Sequence, residues 1–273
     1  MQVVTLGTGS PLPDPNRAGP ATLVRAAGRS LLFDCGRGVL MRAAAAGLLP
    51  GMIDRLLFTH LHSDHITDFN DIVTMRWAMS PVENPLRVTG PSGTQALVDR
   101  TLTMLTDDIG WRIEHHGDLQ WQPAIEVDEA EPGVVLDEEG LRIVAAPTEH
   151  APVRPTLGYR IEADGASVVI GGDGRPCEGL DQLCDGADVY VQTVIRPSGV
   201  RAIPAARLQD ILDYHSSIEE AAQTAKRGGV KTLVLTHPVP APFPGTEQEW
   251  IDEAAAHFDG QVVMAEDLTT VDA

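Results

Sequence analysis

The chain has 273 residues, 43% hydrophobic and 22% charged, a composition that buries a sizeable core and excludes disordered and fibrous classes. Acidic side chains outnumber basic ones 39 to 20, giving a net charge of −19, and only Lys226 and Lys231 are lysines. Such a surface repels polyanions at long range, and it lacks both the basic stripe of a nucleic-acid binder and the Lys/Arg cluster of a membrane-surface helix.

Short apolar strands are predicted at 3–6, 22–25 and 31–35, separated by PLPDPNRAGP and AAGR. A helix over 38–47, a strand at 55–59 and a helix over 68–79 follow. Then come a strand at 86–89 and a helix over 93–105. The acidic stretch 126–139 (EVDEAEPGVVLDEE) reads as solvated surface. Strands at 141–146, 157–162, 167–170, 189–194 and 232–236 complete the count, with helices over 205–214, 217–228 and 247–258 among them. Meandering strands with interspersed helices suit layered α/β packing with two sheets, not a TIM barrel or a doubly wound sheet. No linker or repeat divides the chain, so one domain over 1–273 is expected. No apolar run approaches the roughly 18–20 residues of a membrane span. MQVVTLGTGS has neither a basic start nor an apolar signal core, which points to a cytoplasmic protein without a membrane partner. Cys35, Cys177 and Cys184 are odd in number without CxxC spacing, so they read as small hydrophobes rather than disulfides or zinc thiolates.

The densest chemistry is Thr59-His60-Leu61-His62-Ser63-Asp64-His65, directly after the strand RLLF. In extended chain, residues i and i+2 point the same way, so His60 and His62 can converge on one metal. If the chain then turns into a helix, Asp64 and His65 can aim at a second. Imidazole suits Zn²⁺, and a carboxylate adds a hard oxygen ligand. Farther on, the apolar strand SVVIGG delivers Asp173, and LVLTH ends on His237.

The HxHxDH pattern resembles the metallo-β-lactamase superfamily of hydrolases, over essentially the whole chain. TLGTGSP, LLFDCG, GGDGRPCE, LVLTH and DYHSSIEEAA are similar to segments of its ribonuclease Z and arylsulfatase-like group. The resemblance implies an αββα sandwich of two mixed sheets flanked by helices, with two Zn²⁺ per chain and Mn²⁺ or Fe²⁺ as substitutes. It assigns His60, His62 and His150 to the first metal, Asp64, His65 and His237 to the second, and Asp173 to a bridge. It makes Asp34 a support that orients a ligand histidine. It implies zinc-bound hydroxide as nucleophile, oriented by Asp64, with His215 assisting the leaving oxygen. Phosphodiester hydrolysis fits paired metals best, with an arylsulfatase-like or ester/lactone hydrolase as the alternative. A homodimer is implied as well.

Departures from the group shape the substrate expectation. His150 and Asp173 are 23 positions apart, too few for a long tRNA-gripping arm between them. Arg37 stands where the group has Glu, Gly174 where it has Thr, and PVPAPF follows His237. With the charge of −19, these departures lead to a small-molecule substrate and to long RNA as a poor one. The pair His115-His116 is left open between a border of the site and plain surface, and His257 reads as surface. Met75, Trp77, Met79 and Trp111 are left open between core packing and an apolar wall or dimer seam.

Overall fold

The computed structural model describes residues 1–273. Side-chain alternation sorts its strands into layers. In β1 (Gln2–Gly7), Val3 faces one apolar cluster while Val4 and Leu6 face another. The first sheet adds β2 (Ala21–Ala26), β3 (Arg29–Phe33), β4 (Arg55–Leu57), β5 (Leu86–Gly90) and β6 (Ile125–Glu129). The second holds β7 (Gly133–Glu138), β8 (Leu141–Pro147), β9 (Leu157–Ala163), β10 (Ala166–Ile170), β11 (Val189–Ile195), β12 (Thr232–Val239) and β13 (Gln261–Met264). The chain then returns to the first sheet as β14 (Thr269–Asp272). The orders are β14-β1-β2-β3-β4-β5-β6 and β13-β12-β11-β10-β9-β8-β7. Each sheet is mixed: its pairings are antiparallel in the half that holds β1 or β8 and parallel in the half that holds β5 or β12.

One core lies between the sheets, where Val24, Leu31, Phe33 and Leu57 meet Ile143, Tyr159, Ile161 and Val191. Over the outer face of the first sheet lie α1 (Val39–Ala45), the single turn α2 (Ser63–Ile66), α3 (Phe69–Met79) and α4 (Thr94–Met104), with α5 (Thr106–His115) packed through Ile109 on Trp77 of α3 and Leu102 of α4. The second sheet is associated with α6 (Glu178–Cys184), α7 (Pro197–Ala202), α8 (Ala206–Gln209), α9 (Ile218–Arg227) and α10 (Glu247–Ala255). The result is the expected αββα layering. β11 is buried along its whole length, which explains its nearly continuous apolar run VYVQTVI.

Helix α9 shows how local sequence fixes an element. Ile218, Ala221, Ala222 and Ala225 recur at one-face spacing and are fully buried, and the small alanines let the helix lie close to the sheet. Ser217 caps it: its hydroxyl accepts from the Glu220 N–H, and the Glu220 carboxylate accepts from the Ser217 N–H. Such a cap contributes about 1 kcal/mol. Lys226 and Arg227 complement the dipole at the other end.

The structure departs from the sequence reading in several places. The stretch 126–139 is exposed, as expected, but it forms edge strands β6 and β7 of opposite sheets, joined where the chain crosses between them. Acidic side chains on such edges discourage pairing with another chain. The helix expected over 205–214 is only α8 followed by a 3₁₀ turn at Asp210–Asp213. Gln209 holds that bend by donating to the Val200 and Ile203 carbonyls. Strands β13 and β14 and helices α5, α6 and α7 escaped the reading, being short or only weakly periodic. No helix is long and apolar enough to cross a membrane.

Candidate metal centre

All seven expected metal-site residues meet at one end of the sandwich. β4 stops at Leu57, and the chain runs on through His60 and His62 into α2, which carries Asp64 and His65. His150 follows β8, Asp173 follows β10, and His237 lies within β12. His237 has φ 52°, at an irregularity in the β11–β12 register that re-aims its side chain. Two groups of ligand atoms form, each within 4.8 Å: His60, His62, His150 and Asp173; and Asp64, His65 and His237.

The donor spacing fits zinc. Bonds of 2.0–2.1 Å in a tetrahedron put ligand atoms about 3.3 Å apart. His62 Nδ1 lies 3.1 Å from His60 Nε2 and 3.3 Å from His150 Nε2. In the second group, Asp64 Oδ2 lies 3.2 Å from His237 Nε2 and 3.6 Å from His65 Nε2. A single atom, Asp173 Oδ2, faces both groups: it is 3.4 Å from His65, 3.8 Å from His237, 3.9 Å from His60 and 4.0 Å from His150. The other oxygen, Oδ1, accepts the Thr193 hydroxyl at 2.8 Å, so one oxygen rather than two is shared between the groups. His65 Nε2 is buried without a hydrogen-bond partner, a costly state that a cation would relieve.

Neighbouring groups choose the histidine tautomers. Asp34 accepts the Thr59 N–H on Oδ1, and both the Thr59 hydroxyl and His65 Nδ1 on Oδ2, each at 2.8 Å. Having given its proton to Asp34, the Thr59 hydroxyl accepts from His60 Nδ1 at 3.0 Å. The Tyr214 carbonyl accepts from His150 Nδ1 at 2.9 Å. In all three imidazoles the Nε2 lone pair is thereby turned inward. Gly172, at φ 67°, lies against Thr59, whose side chain would be 2.9 Å from an added Cβ. At Gly174 an added Cβ would lie 2.9 Å from the Glu149 carbonyl, so a larger residue would not fit here without a shift.

Burial and the buried carboxylates together set the electrostatics. Burial holds His60 well below the usual imidazole range, and His62 and His150 below it, leaving three neutral ligands. Burial also pulls His65 down, but Asp173 and Asp34 outweigh it and hold it well above the usual range. Burial pushes Asp173 up, yet His237 and His65 prevail and keep it well below the carboxylate range.

His215 stands beside the groups and belongs to neither. Its Nε2 is 3.3 Å from Asp173 Oδ2, and its Nδ1 is 3.3 Å from the Ile211 carbonyl. Ser216 pins it by donating from both N–H and hydroxyl to the Gly174 carbonyl. A cavity of about 200 Å³ opens over the centre, walled by Leu12, Leu208, Ile211, Tyr214 and His215. His115 and His116 pair with each other at the exposed end of α5 and belong to neither group. Trp77 is core, while Met79 and Trp111 are exposed. Sequence reasoning missed Thr193, whose signal is a polar pair, Gln192-Thr193, inside a fully buried strand. It also missed the cavity wall, whose apolar residues carry no motif.

Residues 29–238 match the family model of the β-lactamase superfamily domain. Ribonuclease Z of Mycolicibacterium paratuberculosis is 55% identical over 273 residues, 99% of this chain and 98% of that one. Ribonuclease Z of Mycobacterium tuberculosis H37Rv is 52% identical over 272 residues, covering this chain fully and 98% of its own length. The chain belongs to the ribonuclease Z family. It is therefore a hydrolase of the metallo-β-lactamase superfamily. Two solved structures share the fold: the metallo-β-lactamase fold protein YhfI from Bacillus subtilis (TM-score 0.73, 22% identity, 99% of this chain and 98% of that one) and the short form of human tRNase Z (TM-score 0.72, 24% identity, 100% and 99%).

These relatives overturn the expectation of a small-molecule substrate with long RNA as a poor one. They bear the name ribonuclease Z at the same length as this chain, so a long inserted arm is not what earns it. Net charge misled because it averages the whole surface, whereas phosphate contacts depend on individual guanidinium groups. The sulfate-ester and lactone alternative gains nothing from the relatives.

Proposed function

We propose that this ribonuclease Z relative hydrolyses phosphodiester bonds in RNA of the tRNA class, with two zinc ions at the centre. The observation that carries the reading is Asp173 Oδ2, one carboxylate oxygen facing the histidines of both groups. His60, His62 and His150 would hold one ion, Asp64, His65 and His237 the other, and Asp173 both. When bound, such a pair supplies a water acidic enough to attack near neutral pH and offsets charge on the phosphate.

The chain's own residues do the rest. Asp64 lines the cavity, where it orients the attacking water and accepts its proton. His215 faces the same cavity. Its Nδ1 faces the Ile211 carbonyl, and its Nε2, 3.3 Å from Asp173 Oδ2, is the atom a leaving oxygen would meet. The apolar wall of Leu12, Leu208 and Ile211 limits water around the reacting phosphate.

The test is turnover by zinc-loaded protein of a tRNA precursor, an aryl sulfate and a lactone, with metal content measured in parallel. RNA cleavage with two zincs per chain is expected. His215→Ala should keep both zincs and lose roughly 10²–10⁴-fold in rate. Turnover of the sulfate or lactone with intact precursor would sink the reading.

A further inference from the structure

A substrate made of phosphates poses a problem for a chain of net charge −19. The ion pairs show where its positive charge is still free. Ten of the arginines pair with carboxylates. Arg17, Arg25 and Arg76 donate to carbonyls and neutral side chains. Lys226 and Lys231 are paired with Asp259 and Asp188. Arg37, Arg100, Arg175, Arg201 and Arg207 remain, all exposed, and the one side-chain hydrogen bond among them is a long 3.4 Å contact from Arg175 to the Asp213 carbonyl.

Four of these five lie on segments that adjoin the metal centre, and none of them lines the cavity itself. Arg207 immediately precedes Leu208, part of the cavity wall. Arg201 lies on α7, which Gln209 ties to the α8 segment. Arg175 comes two residues after Asp173, and its N–H is bonded to the Glu149 carbonyl beside His150. Arg37 follows Gly36, which packs so closely on the Asp64 backbone that an added Cβ would lie 2.4 Å from the Asp64 carbonyl. Asp210 and Asp213 share the α8 segment but form no ion pair with Arg201 or Arg207. A guanidinium with no internal partner keeps its donors for an external anion, and its planar fork matches phosphate.

We propose that Arg37, Arg175, Arg201 and Arg207 form a phosphate-gripping rim that holds the RNA backbone around the scissile bond, in place of an inserted arm. This rests on the RNA reading above, and it needs no basic surface elsewhere. The rim fixes position along the backbone, and it leaves base identity unread.

The experiment measures binding of zinc-loaded protein to a fluorescent mature tRNA, which has no trailer to lose, from 50 to 200 mM salt. Cleavage of a precursor is followed separately. Each phosphate contact contributes roughly 0.7–0.9 to the slope of log affinity against log salt. The double variant R201Q/R207Q should therefore be shallower than wild type by roughly 1.4–1.8, and so lose about sevenfold to twelvefold less affinity across that range. R100Q makes the same kind of charge change on α4, away from the cavity, and should keep the wild-type slope. A wild-type slope in the double variant, or an equal change in R100Q, would overturn the rim. Arginine-dependent binding without any cleavage would instead overturn the ribonuclease reading and leave the rim standing.

Discussion

Asp34→Asn tests whether tautomer control reaches both metal groups. The carboxylate is almost fully buried, and Asn tolerates its φ of 58°, so the backbone should not object. Asn keeps one acceptor, which can still take the Thr59 N–H. Its amide NH₂ then faces His65 Nδ1, where Oδ2 had accepted at 2.8 Å. Relief requires the proton to leave Nδ1 for Nε2, the nitrogen that points into the second group. The Thr59 hydroxyl must also reorient, which disturbs His60 in the first group through the 3.0 Å contact. Changes to such supporting residues weaken metal binding by about 10–100-fold, or about 1.4–2.8 kcal/mol. The weaker of two zinc affinities should fall by that factor, and the other by less. Competition against a chromophoric chelator reads both. If both affinities stayed within twofold of wild type while the protein remained folded, control of the tautomers by Asp34 would be refuted.

Thr193→Val should lower zinc affinity about tenfold by leaving Asp173 Oδ1 without its donor, and Thr193→Ser should restore it; the same chelator titration checks both. Asp267→Asn should cost roughly 1–3 kcal/mol in urea unfolding, because that carboxylate accepts from Thr8 N–H and hydroxyl, Ala18 N–H and Arg42 Nε, and Asn can replace only part of these bonds. It should also raise KM, since the same loop carries Leu12 into the cavity wall. Burial pushes the Asp188 carboxyl up, but Lys231 and Ser167 outweigh it and hold it below its usual value. Its stabilisation is thus present above about pH 4 and lost as pH falls through the folded value. Asp188→Asn should flatten the stability curve below pH 4, and urea titrations from pH 3 to 7 measure this.

Four candidate ligands, His60, His62, Asp64 and His65, were legible because their chemistry is local, whereas His150, Asp173 and His237 came only from the family resemblance. Two-sheet α/β layering was legible from the meandering strands with interspersed helices, and the αββα order came from the family resemblance. What stayed hidden depends on tertiary neighbours. Thr193 looks like any threonine in a buried strand until Asp173 is seen beside it. Leu208 and Ile211 fell within one expected helix over 205–214, whereas that stretch is α8 followed by a 3₁₀ turn, and both residues wall the cavity. The acidic stretch 126–139 hid two strands because edge strands need only one apolar face, and Glu and Asp argue against strand by propensity. The substrate was misjudged for a similar reason, since pairing within the folded chain decides which arginines stay available.

Both ligand groups draw on both sheets. His60, His62, Asp64 and His65 leave the first sheet together, while His150, Asp173 and His237 come from the second. Each ion would act as a rivet through the inter-sheet core, joining chain segments far apart in sequence. Neither half of the sandwich can assemble a full set alone, so tight loading should follow docking of the sheets, and its binding energy should add to the docked state alone. Chelation should therefore lower the barrier to separating the layers before it disturbs either sheet. Hydrogen exchange with and without chelator would locate that loosening along β3, β4, β10 and β11, the strands that lead into the seam.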